Sequence, residues 1–170
     1  ELQATDDSTA AIDHHVFLIN QADRRAIVQA LSAGDGKTLV FTRTRASARD
    51  LAKHLDGIGI PAASLHGDLS QGQRQRNLGK LTSGKAKVLV ATDVAARGIH
   101  VDDISLVIHA DPAEEHKTYV HRSGRTGRAG STGRVVTLAP NSREREVNGL
   151  LTRAGVTWTT TAMGVGSQAL

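Results

Sequence analysis

The chain has 170 residues, enough to bury a core as one domain without disulfides or a structural metal. Hydrophobic residues make up 39% but aromatics only 2%, so the core must be aliphatic, and the absence of cysteine excludes disulfides and thiolate-held metal and suits a reducing cytoplasm. A net charge of +4 favours an anionic partner, and no apolar run approaches the ~18 residues that span a bilayer, so no membrane is expected.

Residues 1–12 read as a flexible lead-in. The first nine are acidic and polar, without the basic-then-apolar order of a signal peptide, and a start at Glu1 points to a piece of a longer protein. Residues 15–19 (HVFLI) predict a first strand. Asn20 then caps a helix whose apolar face is Ala26, Ile27, Ala30 and Leu31, broken at Gly34-Asp35-Gly36. Residues 38–41 (TLVF) predict the next strand, and Ala48, Leu51, Ala52 and Leu55 give the following helix a clear apolar stripe. A short strand at 62–65 leads to Ser70 and Gln73, the spacing of a capping box, with Leu78 and Leu81 burying the helix behind it. The run Val88-Leu89-Val90-Ala91 predicts a buried strand, followed by a helical turn at 93–97 and a strand at 105–109. Asp111-Pro112-Ala113-Glu114 reads as a helix start, with cap, proline and acid in order, for a helix to about Arg122. A strand at 135–138 and a helix at 142–154 complete the pattern.

Short apolar strands alternating with helices argue an α/β fold, a mostly parallel sheet of about six strands covered by helices on both faces. The domain is expected over 13–155. Residues 156–170 show no periodicity and read as a tail or linker, unless Trp158 packs back.

The chemistry concentrates in residues 88–130. Thr92 and Asp93 stand at the carboxyl end of a strand, where open α/β sheets place ligands. In HRSGRTGRAG, Arg122, Arg125 and Arg128 recur every third residue between Gly124, Gly127 and Gly130. Glycines let a backbone turn sharply and approach a ligand, and the guanidinium fork matches phosphate oxygens. Thr-Asp at a strand end followed by a Gly/Arg ladder reads as phosphate machinery.

ATDVAARGIHV resembles motif V, and HRSGRTGRAG motif VI, of the superfamily-2 helicases, specifically the DEAD-box RNA helicases. TLVFTRT resembles motif IV, and LHGDLSQGQR the segment with the Gln-x-x-Arg signature. The resemblance covers about His15 to Gly155 and implies the second, C-terminal RecA-like domain of the helicase core, a three-layer sandwich. It implies RNA-backbone contacts through Thr44, Gly67, Gln71, Arg74 and Thr92. It implies that Arg125 and Arg128 are arginine fingers toward the ATP γ-phosphate, where they would stabilise the transferring phosphoryl group. By the same resemblance His121 and Arg122 couple this loop to the partner domain, with bonding inside their own domain an open alternative. Arg97 and Gly98 would lie near the phosphates, and position 100 would meet the ATP ribose. There the chain departs from the family, with His100 where Asp is usual.

No phosphate-binding loop, Asp-Glu-Ala-Asp or Ser-Ala-Thr is present in the sequence. ATP with Mg2+ is therefore expected only in the full-length protein, the metal held mainly by an N-terminal RecA-like domain, and this chain alone should be inactive. His14, His15, His54, His109 and His116 lack metal-ligand spacing, and no metal site is expected. The expected partners are RNA and that N-terminal domain. Two alternatives stay open: a RecQ-like DNA helicase or repair translocase, and a stand-alone RNA-binding adaptor, although an adaptor needs no arginine finger.

Overall fold

Val88 and Val90 belong to one buried cluster, and Leu89 and Ala91, alternating with them, to a second. A strand apolar on both sides needs cover on both faces, and that requirement organises the molecule. The computed structural model describes residues 12–127 and 132–164. Its strands are β1 (Ile12–Ile19), β2 (Lys37–Phe41), β3 (Ala62–Leu65), β4 (Val88–Ala91), β5 (Ile104–His109), β6 (Gly133–Pro140) and β7 (Thr159–Ala162). They form one sheet in the order β3-β4-β2-β5-β6-β1-β7, and every pairing among the described residues is parallel.

The helices are α1 (Arg24–Ser32), α2 (Arg45–Gly57), α3 (Gln71–Ser83), α4 (Asp93–Ala96), α5 (His116–Ser123) and α6 (Glu144–Ala154), with 3-10 turns ahead of α1 and α6. Ile27, Val28 and Leu31 of α1 and Leu51 and Leu55 of α2 cover one face of the sheet. Leu81 of α3, Tyr119 of α5 and Leu150 of α6 cover the other. The result is the expected three-layer α/β sandwich. The capping box forms as read: the Ser70 hydroxyl accepts from Gln73 N at 3.2 Å, and Gln73 Oε1 accepts from Ser70 N at 2.9 Å.

Three elements differ from the sequence reading. The sheet has a seventh strand, β7, inside the segment read as a tail. Its residues TTTA are all exposed, so no apolar alternation marked them; β-branched threonines were the only signal. Trp158 beside it packs partly buried against the core. Helix α5 begins at His116, later than the Asp-Pro-Ala-Glu reading placed it. Asp111 cannot cap it, because its Oδ2 accepts from Arg43 N at 2.7 Å and from Arg24 Nη2 at 3.1 Å. Strand β1 begins at Ile12, three residues early, because buried His14 is satisfied by the Tyr119 hydroxyl at 2.7 Å.

Candidate functional site

The parallel sheet puts the carboxyl ends of β2, β3, β4 and β5 on one rim, and the expected site residues follow those ends. After β2, Thr44 is exposed and caps α2, its hydroxyl accepting from Ser47 N at 3.1 Å. After β3, exposed Gly67 lies against Arg45, whose Cδ is 3.6 Å from where a Cβ would stand. Arg45 in turn pairs with Asp68 at 2.9 Å, so the turns after β2 and β3 are neighbours. Gln71 opens α3 and is exposed beside them, where free amides at a helix N-terminus favour an anion.

Arg74 behaves differently. Its Nη1 donates to the Ala95 carbonyl and its Nη2 to the Arg97 carbonyl at 3.4 Å. It ties α3 to the segment after β4, and so spends donors that the sequence reading assigned to RNA. Thr92 caps α4 without a side-chain bond to it and is 9% exposed.

The second half of the rim is a cleft of about 120 Å³ lined by Phe41, Asp93, Arg97, His121, Arg122 and Arg125, among others. Arg122, only 4% exposed, holds it together. Its Nε and Nη2 donate to the two Asp93 carboxylate oxygens, each at 2.7 Å. Its Nη1 donates to the Asp111 carbonyl at 2.8 Å and lies 3.3 Å from His109 Nδ1, while the guanidinium sits 5.1 Å from the Phe41 ring centroid. Of the alternatives for Arg122, bonding inside its own domain is the one observed. Arg125 donates from Nη1 to the Ile99 carbonyl at 2.8 Å. That bond makes the Gly/Arg loop and residues 92–100 one wall. His121 is exposed on the same cleft. Gly127 does take a positive φ, 67°, but Gly124 has ordinary helical backbone. Arg128 and Gly130 lie outside the described residues.

Gly98 has a φ of 80°, which costs a side chain strain and lets residues 97–100 turn back into the rim. Exposed His100 places Nε2 2.7 Å from Asp102 Oδ1. In its neutral form the imidazole has a single acceptor nitrogen, where a carboxylate has two accepting oxygens.

Two contributors escaped the sequence reading. Asp111, taken for a helix cap, pins the turn after β2. His109 is fully buried at the end of β5, stacked on Tyr119 at 4.7 Å between ring centroids. Burial first, and then the Arg122 charge, hold its pKa well below the usual histidine value, so it faces Arg122 as a neutral acceptor. The signal available was its place at a strand end.

These donors suit a polyphosphate and a ribose hydroxyl. Among the described residues no group of three or more His, Asp or Glu is placed to hold a metal ion. No helix among them is long and apolar enough to cross a membrane.

The model of the helicase conserved C-terminal domain matches residues 22–130. DEAD-box ATP-dependent RNA helicase 7 of Oryza sativa subsp. japonica is 40% identical over 153 residues, 88% of this chain and 21% of that protein. The ATP-dependent RNA helicase DbpA of Bacillus subtilis (strain 168) is 34% identical over 85% of this chain and 31% of its own length. The chain thus spans between about a fifth and a third of these curated relatives. Among solved structures, a DEAD box protein from the hyperthermophile Methanococcus jannaschii superposes with a TM-score of 0.83 at 30% identity, over 91% of this chain and 43% of that one. The C-terminal domain of the DEAD-box protein Dbp5 does so at 0.80 and 28% identity, over 89% of both chains. With the motifs on one rim of a RecA-like sheet and the family model matching most of the chain, the protein belongs to the helicase conserved C-terminal domain family, and its relatives are DEAD-box RNA helicases.

Proposed function

We propose that this chain is the C-terminal half of a DEAD-box RNA helicase core, acting with an N-terminal RecA-like domain to unwind or remodel RNA duplexes at the expense of ATP. The Arg125–Ile99 bond carries the reading, because it joins the arginine loop to the strand-end segment in one wall. On that wall Arg125 faces the nucleotide, while Thr44, Gly67, Gln71 and Thr92 hold the RNA backbone through hydroxyls, amides and a helix N-terminus; Arg128, outside the described residues, is the second arginine finger of this reading. Such contacts position a strand and read no bases. Arg74 and Arg122 act one step back, Arg74 by holding residues 95–97 and Arg122 by holding Asp93.

Binding of ATP and RNA across the cleft closes the two domains, and transfer of the γ-phosphoryl group to water reopens them. Mg2+ belongs with the N-terminal domain, and this chain alone is inactive. The guanidinium of Arg125 offers fixed donors where charge develops, Gly98 lies near the phosphates, and His100 meets the sugar. The location in the intact organism is the cytoplasm, in keeping with a cysteine-free chain.

The test uses the intact protein. Arg125→Ala lowers kcat about 10³-fold, the low end for a finger contact, and leaves RNA affinity without nucleotide unchanged. Arg125→Lys does not restore turnover, because a point charge lacks the fork. Wild-type turnover in either variant refutes the assignment. Wild-type-like turnover accompanied by lost RNA binding would instead move Arg125 to the RNA surface.

A further inference from the structure

A groove of about 260 Å³ beside the edge strand β3 takes no part in the chemistry above. Its walls carry Arg49 and Lys53 of α2 and Asn77 and Lys80 of α3, with Asp56 as its carboxylate. Helices α2 and α3 both start at the carboxyl ends of strands and run back along the sheet. Arg45, Arg49 and Lys53, four residues apart, therefore share one face of α2 and lead from the rim into the groove. At 1.5 Å per residue, Arg45 to Lys53 spans about 12 Å, the length of about three phosphates on one strand. The head of this row is already at the rim, where Arg45 touches Gly67.

The charge balance inside the groove is positive. Lys53 and Lys80 form no ion pair among the described residues, and Arg49 meets only the exposed Asp50, at 3.5 Å. An exposed contact of that length contributes little and yields readily to a phosphate. Asp56 is turned to the backbone, its Oδ1 accepting from Ala62 N at 3.3 Å. Asn77 Nδ2 donates to the Ser64 carbonyl at 2.8 Å. Those two side chains occupy outward-facing backbone groups of β3, so the edge is a poor template for an added peptide strand. What remains is a row of cations over a floor of small side chains, Ala52, Ala62, Ala63 and Ser64, suited to a polyanion that brings no strand geometry of its own.

We infer that this groove is a second phosphate-binding strip, taking the RNA backbone where it runs on from Gly67 and Gln71. The inference rests on the proposed function, since it is that reading which delivers an RNA strand to the head of the strip. Arg49, Lys53 and Lys80 lengthen the footprint without touching nucleotide, and they bind any sequence alike.

The test is binding of the whole chain at several salt concentrations, using a short oligouridylate and the same strand extended at its 5′ or its 3′ end. One of the two extensions tightens binding to the wild type and steepens the dependence of log K on log salt, by about 2 for three cations on a single strand. Combining Arg49→Gln, Lys53→Gln and Lys80→Gln abolishes that gain and the added slope, with affinity for the short strand and the melting temperature unchanged. Gln71→Ala weakens the short strand and leaves the gain from extension in place. A triple variant that keeps the gain, or a wild type that gains from neither extension, overturns the strip. Short-strand affinity untouched by Gln71→Ala counts against the primary RNA contacts instead, and is read independently of the groove.

Discussion

Arg122 illustrates how a ladder of similar residues divides its labour. It is nearly fully buried and bonded on three sides, whereas Arg125 is half-buried on the cleft. A guanidinium taken out of water is tolerable only with its partners in place. Asp93→Ala leaves that charge buried without its carboxylate, and the expected loss of stability is about 3 kcal/mol, read from urea unfolding. Asp93→Asn, which keeps an acceptor, loses less. Equal stability of wild type and Asp93→Ala would mean that the pair does not brace the site. His100 sets a second expectation at this scale. A neutral imidazole accepts a ribose hydroxyl through one nitrogen only, and more weakly than the carboxylate usual in the family. In the intact protein His100→Asp sharpens discrimination between ATP and 3′-deoxy-ATP, measured as the ratio of their KM values. Identical ratios in the two proteins would remove His100 from the nucleotide.

Among the elements, β7 is the one whose role depends wholly on its neighbour. It pairs with β1 from His15↔Thr159 to Leu18↔Ala162, and beyond it Met163 N donates to the Leu18 carbonyl at 2.9 Å while the Met163 side chain is buried in the core. Ending the chain at Gly155 uncovers the β1 edge and removes Trp158 and Met163 from the two cores. We expect a loss of about 2 kcal/mol, a fall in melting temperature of about 4–8 °C for a domain of this size, and a greater tendency to aggregate through the bare edge. An unchanged melting temperature would make β7 an ornament. The α3 start, by contrast, is local: its reciprocal Ser70–Gln73 bonds need nothing from the rest of the fold.

Across the whole molecule, a buried histidine pair links the sheet to the site. His14 Nδ1 is hydrogen-bonded to the Tyr119 hydroxyl, Tyr119 stacks on His109, and His109 faces Arg122. Burial lowers the His14 pKa to about 4 from 6.5, and lowers that of His109 well below the same value. Both are neutral in the fold and protonate more readily once unfolded, so the unfolded chain binds more protons in acid. Their contribution is complete above pH 6.5 and is lost as pH falls toward about 4. The melting temperature should therefore fall across that window, and His14→Gln should flatten the fall. A melting temperature constant from pH 6.5 to pH 4 would contradict the buried, neutral state of His14.

The order of strands and helices was legible in the chain because each unit carries its own signal. Val88-Leu89-Val90-Ala91 is apolar on both faces, Ala48, Leu51, Ala52 and Leu55 repeat with a helical period, and Ser70 with Gln73 caps locally. The site was legible as a set of residue types, since Gly and Arg in that spacing have few other uses. That Arg122 and Arg74 brace the rim from within the domain was not legible. Arg122 finds Asp93 29 residues away, Arg74 finds Ala95 21 residues away, and His14 finds Tyr119 across 105 residues. Pairings over such separations depend on how the sheet orders its strands. Only the folded sheet decided that Asp111 would bind Arg43 and Arg24 instead of capping a helix, and that four exposed residues after Trp158 would become its last strand.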